Sequence, residues 1–274
     1  MGSLRIAFLG DIFGGPGRQV VEQQLPVLRA EHEPEVVIAN AENVRSGSGL
    51  SPALYEKIRG YGIDGVTLGD HVFREPRIVS LLERGDEPIA RPANLAASAP
   101  GRRYLRIALG GRSDRSLFVI TVLGRIFMSL PAGDPFATVD ALLEELPEPD
   151  PIVIVEAHME TTSEKAALAH YLDGRVAAVL GTHTHVPTAD ARILAGGTAF
   201  ITDLGMCGPY DSVIGREKSA VVRHMTTGMH VRFELGRGGE ALCGAVVEID
   251  TGTRRALSVQ RVRYEADHHR APFA

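Results

Sequence analysis

Cysteine is nearly absent from this chain: there are two in 274 residues, Cys207 and Cys243, with no CxxC or zinc-ribbon spacing. That scarcity argues against a disulfide framework and against a cysteine zinc site, and it suits a reducing cytoplasm with two plain buried thiols. Long apolar runs are missing as well, and none approaches the roughly 20 residues of a membrane helix. The first residues, Met1-Gly2-Ser3-Leu4, lead straight into an apolar strand, which is too short a stretch for a signal peptide. A soluble, cytoplasmic protein with no membrane partner is expected. Basic charge is not in surplus either: 29 Lys and Arg stand against 34 Asp and Glu, a formal net charge of −5. Stable binding of a long nucleic acid, which ordinarily meets a basic surface, is not expected. A small anion at a metal stays open, because the metal would bring the positive charge itself. Repeats, low-complexity tracts and linkers are absent, so residues 1–274 read as one domain. With 44% hydrophobic and 23% charged residues, the chain can bury an ordinary core without covalent staples.

What is present is a regular alternation of short apolar runs and helical patterns. Leu4–Leu9, Glu35–Ala39 and Gly65–Gly69 read as buried strands, with helices at about Gly17–His32, from Ser51-Pro52, and at Glu75–Glu83. Ser51 before Pro52 is a helix-start signal. Arg103–Leu109 and Leu117–Leu123 read as a strand pair across Gly110-Gly111. A helix at Val139–Leu146 and the strand Ile152–Val155 follow. Thr161-Thr162-Ser163-Glu164 reads as a capping box for the helix Lys165–Leu172, and Val176–Leu180 as another buried strand. Ala199–Thr202, Val231–Glu234, Ala245–Ile249 and Ser258–Tyr264 read as strands of an antiparallel tail, interrupted by a helix at Glu217–Met225. Fully apolar strands alternating with helices predict an α/β fold with helices covering a parallel or mixed sheet. The tail predicts a second sheet packed against it, giving a central β-sandwich.

Ligands of open α/β folds sit beyond the carboxyl ends of the strands, and the polar residues gather there. Asp11 follows the first strand and Glu42-Asn43 the second. Asp70-His71 follow the third, His158 follows Ile152–Val155, and His183 and His185 follow Val176–Leu180. Singly, Asp11 could start a turn, Glu42 and Asn43 could face solvent, and His158 could be a core histidine. Five strand ends delivering carboxylate, amide or imidazole to one edge point instead to a site. The spacing in Gly181-Thr182-His183-Thr184-His185-Val186 favours ligands even in isolation. Oxygen and imidazole donors without thiolate suit Fe, Mn, Zn or Ni. Their number exceeds the needs of one tetrahedral ion and fits two ions sharing a carboxylate, an arrangement that clamps a phosphoryl group and supplies hydroxide near neutral pH. Gly14-Gly15-Pro16-Gly17 completes neither a P-loop nor G-x-G-x-x-G, so no nucleotide cofactor is expected. His32, His170, His224, His230, His268 and His269 are assigned no chemistry.

These motifs, in this order, resemble the calcineurin-like metallophosphoesterases, and within them the YmdB-like bacterial 2′,3′-cyclic-nucleotide phosphodiesterases. The closer resemblance rests on residues 8–18, Ala41-Glu42-Asn43, Arg91-Pro92-Ala93-Asn94, Thr162-Ser163-Glu164-Lys165, residues 181–190 and residues 208–212. It covers nearly the whole chain and loosens beyond about Arg216. It implies a four-layered α/β fold, with two mixed β-sheets in a central sandwich flanked by helices. It further implies one metal on Asp11, Glu42, Asn43 and His185 and a second on Glu42, Asp70, His158 and His183, with Glu42 bridging. Iron is the implied metal, His71 the implied proton donor, and a homo-oligomer, dimer or tetramer, the implied assembly. The chain departs from the family's Gly-Asn-His by carrying Gly69-Asp70-His71. Glu156-Ala157-His158-Met159-Glu160 replaces the usual Asp-Phe-His-Ala-Glu, and Cys207 stands in a Gly-Met-Cys-Gly turn expected to reshape the pocket wall. The expected reaction is hydrolysis of a nucleoside 2′,3′-cyclic phosphate such as 2′,3′-cAMP. The alternatives are a phosphomonoesterase, or a regulatory metal-binding protein whose turnover is incidental.

Overall fold

The computed structural model describes residues 2–110 and 115–266. Gly111 of the expected turn, and His268 and His269, lie outside them. The chain opens with β1 (Ser3–Leu9), the short β2 (Asp11–Ile12), α1 (Gly14–His32) and β3 (Val36–Asn40). Next come α2 (Pro52–Arg59), β4 (Gly65–Thr67), α3 (Val79–Leu82) after a 3-10 turn, and β5 (Ile89–Ala90). The middle holds β6 (Leu105–Ala108), β7 (Ser116–Leu123), α4 (Pro135–Glu145), β8 (Ile152–His158), α5 (Thr162–Tyr171) and β9 (Ala178–Thr182). It closes with β10 (Arg192–Ile193), β11 (Ala199–Ile201), β12 (Met206–Pro209), α6 (Lys218–Thr227), β13 (Glu240–Asp250) and β14 (Ala256–Glu265).

Two mixed sheets result. The first runs β2-β12-β13-β1-β3-β4-β5 with β14 on β13, and the second runs β10-β11-β9-β8-β7-β6. The period-2 alternation of strands explains how they stack. Leu4, Ile6 and Phe8 of β1 and Val36 and Ile38 of β3 point inward, against Ile152 and Ile154 of β8, Leu180 of β9 and Ile201 of β11. Their neighbours Ala7, Leu9, Val37 and Ala39 point outward onto Val21, Leu25 and Leu28 of α1 and Tyr55 and Ile58 of α2. On the other side Val153, Val155 and Phe200 meet Val139 and Leu142 of α4 and Leu168 of α5. The layers are therefore helix, sheet, sheet, helix, as expected. Each large apolar side chain in the middle layer contributes about 1.5–3 kcal/mol, and that layer holds the ends of the two sheets in register.

Local signals explain several helix starts. Ser51 accepts from the Leu54 amide with Pro52 in the first turn. Thr161 accepts from the Glu164 amide, but the capping box is only half formed. The Glu164 carboxylate turns away to accept from the Arg125 and Ile126 amides. Among the described residues, no helix is long and apolar enough to cross a membrane.

Three expectations need correction. The antiparallel tail does not build the second sheet: β13 pairs with β1 and β14 with β13, both in the first sheet. Among the described residues, the second sheet comes from the middle of the chain and is joined from the tail by β11 alone. Alternation in a sequence reports which residues share a face, not which open edge the strand will find. Val231–Glu234 forms no strand; it lies largely exposed, and the strand-like pairing nearby, among the described residues, is an isolated bridge between Arg216 and Leu235. Cys207 is not in a turn on the pocket wall. It lies in β12, buried in the core beneath α1, with its thiol on the Cys243 carbonyl at 3.3 Å.

Candidate metal centre

The carboxyl ends of β1, β3 and β4 in one sheet meet those of β8 and β9 in the other, so the site straddles the sandwich. β8 runs on past its apolar stretch, making His158 its last residue. The structure brings together all the residues singled out in the sequence: Asp11, Glu42, Asn43, Asp70, His71, His158, His183 and His185.

Donor atoms of Glu42, Asp70, His158 and His183 all lie within 4.8 Å of one another. His158 Nε2 stands 3.3 Å from Glu42 Oε1 and 3.1 Å from Asp70 Oδ1. His183 Nδ1 is 3.2 Å from Asp70 Oδ1 and 3.2 Å from His158 Nε2. Carboxylate oxygens bring no protons, and one imidazole N–H cannot serve this many acceptors. Donors at about 2.0–2.2 Å around a tetrahedral ion stand roughly 3.3–3.6 Å apart, only slightly wider than these spacings, so a small expansion admits a cation at the centre. Gly69 leaves room for this convergence, since a Cβ there would lie 2.2 Å from His158 Nε2 and 2.4 Å from Glu42 Oε2.

The second group shares Glu42. The Asn43 amide nitrogen lies 3.3 Å from Glu42 Oε1, 3.4 Å from Asp11 Oδ1 and 3.2 Å from His185 Nε2. Its carbonyl oxygen is 2.8 Å from His71 Nδ1. Turning the amide over would present that oxygen to the same point as the Asp11 carboxylate and the His185 imidazole. His71 lies at the edge: its backbone amide donates to Glu42 Oε2 at 2.8 Å, and its Nε2 is 3.8 Å from Asp70 Oδ2.

The electrostatics describe a pocket short of positive charge. Burial, reinforced by the charges of Glu42 and Asp203, raises Asp11 to about 7 against the pull of His158. Burial would also raise Glu42, but the charge and hydrogen bond of His158 bring it down to about 2. Burial works against a charged His158, yet Glu42 and the hydrogen bond to Asp70 lift it well above the usual histidine range. Burial lowers His185. His71 is raised, because Glu42 and Asp70 outweigh burial. The carboxylates of this pocket thus favour positive charge beside His158.

Several residues that hold the site were not singled out in the sequence. The outer nitrogen of each inner histidine is tied to oxygen: His158 Nδ1 to Thr182 Oγ1 at 2.9 Å, His185 Nδ1 to the Ile214 carbonyl at 2.9 Å, and His183 Nε2 to Glu160 at 3.2 Å. Such partners orient metal-binding imidazoles. His183 and His185 both take positive φ, 95° and 67°, a conformation costly for non-glycine residues. Asp203 braces the turn by accepting from the Thr184 amide and hydroxyl, and it pairs with the buried Lys165 at 2.7 Å. The Arg91-Pro92-Ala93-Asn94 motif is structural: Asn94 bonds both backbone groups of Leu123, and the buried Arg91 donates to nearby carbonyls. The signal for such residues was a polar residue within or directly at the end of an apolar strand, as with Glu156 and Asn40.

Two facing sheets between helix layers, with an acid–imidazole pocket where both sheets end, define the metallophosphoesterase class of fold. The chain belongs to the YmdB-like protein family, whose model matches residues 7–262. It is 39% identical over 266 residues to the 2′,3′-cyclic-nucleotide 2′-phosphodiesterase of Bacillus subtilis strain 168, covering 97% of this chain and 98% of that one. A crystal structure of a hypothetical protein from Thermus thermophilus superposes with a TM-score of 0.87 at 41% identity, covering 96% of this chain and 100% of that one. A crystal structure of a novel phosphatase from Mycoplasma pneumoniae gives a TM-score of 0.89 at 33% identity, covering 97% of this chain and 94% of that one.

Proposed function

We propose that this chain is a dinuclear metal-dependent phosphodiesterase that hydrolyses nucleoside 2′,3′-cyclic phosphates. The observation that carries the proposal is the convergence of proton-poor donor atoms from both sheets into two groups that share Glu42. The name of the Bacillus subtilis relative supports the substrate class. Asp11, Glu42, Asn43 and His185 would hold one ion, and Glu42, Asp70, His158 and His183 the other. The oxygen and imidazole donors suit iron, with Mn, Zn or Ni also matched. The sandwich core shared by both sheets supports one domain over residues 1–274. The exposed Val222, Met225 and Met229 offer surface for a homodimer or tetramer. The two free buried thiols suit the cytoplasm.

Two bound cations would supply positive charge against the phosphate oxygens and a water ionised near neutral pH. The chain's own residues do the rest. Glu160, Thr182 and the Ile214 carbonyl fix the three inner imidazoles. His71 is anchored through Nδ1, which leaves Nε2 to deliver a proton to the departing ribose oxygen. A panel assay tests this reading. Full-length protein reconstituted with iron or manganese should turn over 2′,3′-cyclic AMP with a higher kcat/KM than a nucleoside monophosphate. Turnover confined to monoesters would make it a phosphomonoesterase, and tight metal binding with no turnover of any phosphoester would favour a regulatory role.

Asp70 sets the charge of the second group. Two divalent ions against Asp11, Glu42 and Asp70 leave 4 − 3 = +1, whereas an amide at position 70 would leave 4 − 2 = +2. Asp70→Asn should therefore release one metal more readily to a chelator while turning over diesters equally fast or faster. A large loss of activity at unchanged metal content would contradict this.

A further inference from the structure

We infer that Glu156 and Thr182 form a positioning relay that fixes the His158 tautomer for metal binding. This inference rests on the dinuclear reading above. The inward face of the strands changes character just below the site. Ile152 and Ile154 on β8, Ala178 and Leu180 on β9, and Val36 and Ile38 on β3 fill the apolar middle layer. The next inward positions are Glu156 and His158, Thr182, and Asn40, and Thr121 of β7 joins them; all five are buried. A polar cap therefore lies between the apolar core and the candidate metals.

Its centre is the Glu156 carboxylate, held by neutral donors. Asn40 Nδ2 and Thr182 Oγ1 each donate to Oε1 at 2.8 Å, and Thr121 Oγ1 donates to Oε2 at 2.7 Å. A buried carboxylate is costly to keep, and an apolar residue would serve packing alone equally well. Counting protons shows what it does. A carboxylate only accepts, and a threonine hydroxyl has a single proton. That proton goes to Glu156, so in the 2.9 Å contact between Thr182 Oγ1 and His158 Nδ1 the ring nitrogen is the donor. Asn40 Nδ2 has a second proton beyond the one given to Glu156, but it lies farther from the same nitrogen, at 3.4 Å, and only an Nδ1–H can fill the shorter Thr182 contact. A neutral His158 therefore carries its proton on Nδ1 and turns the bare Nε2 lone pair toward Glu42, Asp70 and His183. The same cap reaches Glu42 directly, because Asn40 Oδ1 accepts from the Glu42 amide at 3.1 Å.

The test uses the full chain, stripped of metal and titrated with Zn²⁺ or Mn²⁺ against a chelating dye. Thr182→Val keeps the shape and removes the hydroxyl; it should weaken one of the two bound ions by about 10–100-fold, the usual cost of losing such a partner. Thr182→Ser should restore affinity to within a few-fold, which a purely volumetric role would not require. Nitrogen-15 histidine spectra of the Zn²⁺-loaded parent give a second readout that needs no variant. His158 should be protonated at Nδ1 and metal-bound through Nε2. Unchanged binding in Thr182→Val, an equal loss in Thr182→Ser, or metal on Nδ1 would each overturn the relay. A parent that takes up no ion would instead overturn the metal reading itself.

Discussion

His183→Ala is expected to purify with at most one metal per chain and to fail on every phosphoester, whatever its leaving group. His183 supplies Nδ1 to the group formed by Glu42, Asp70 and His158, and alanine offers no donor in its place. Removing one preorganised electrostatic donor ordinarily costs about 10²–10³-fold. Here an ion would leave with the donor, so turnover should fall by more than roughly 10³-fold. The fold should persist, because the turn is braced through Thr184 and Asp203 rather than through the imidazole. Elemental analysis beside assays on two substrates checks this. A variant that kept both metals and hydrolysed diesters would show that the group is not a metal site.

His71→Ala should behave differently. Its link to Glu42 Oε2 runs through the backbone amide, which alanine keeps, and its ring touches Asn43 and Glu42 only from the edge of the site, so bound metal should remain. If His71 is the proton donor, its loss should lower turnover of a 2′,3′-cyclic nucleotide by roughly 10²–10⁴-fold. The loss should be much smaller for a nitrophenyl diester, whose leaving group needs little protonation. Metal loss, or equal damage to good and poor leaving groups, would reassign His71 to holding the phosphate or the metal site.

The residues at the site were legible because each follows an apolar strand, and the carboxyl ends of strands converge in such folds. Gly181-Thr182-His183-Thr184-His185 was the clearest, since a residue spaced by two at a strand end has little structural reason to be a second histidine. The supporting residues were harder to read. Glu156 interrupts one apolar strand and Asn40 ends another, but their meeting depends on two sheets facing each other, which no local pattern encodes. Glu160 and the Ile214 carbonyl come from segments whose approach to the histidines is set by tertiary packing. In the fold, β1, β3 and β8 were legible as apolar runs between helices, though a run apolar on both faces does not say which face turns inward. The insertion of β13 between β1 and β12 was not legible, because strand pairing is a long-range choice. Val231–Glu234 alternated like a strand yet found no edge to join, and so stayed irregular.

If Glu42 bridges two metal ions, each chain must hold both. Elemental analysis of the full chain, purified without chelator and then reconstituted with excess iron or manganese, tests it most directly. The metal content should approach two per chain. A stoichiometry fixed at one under excess metal would contradict it and remove the bridging role of Glu42.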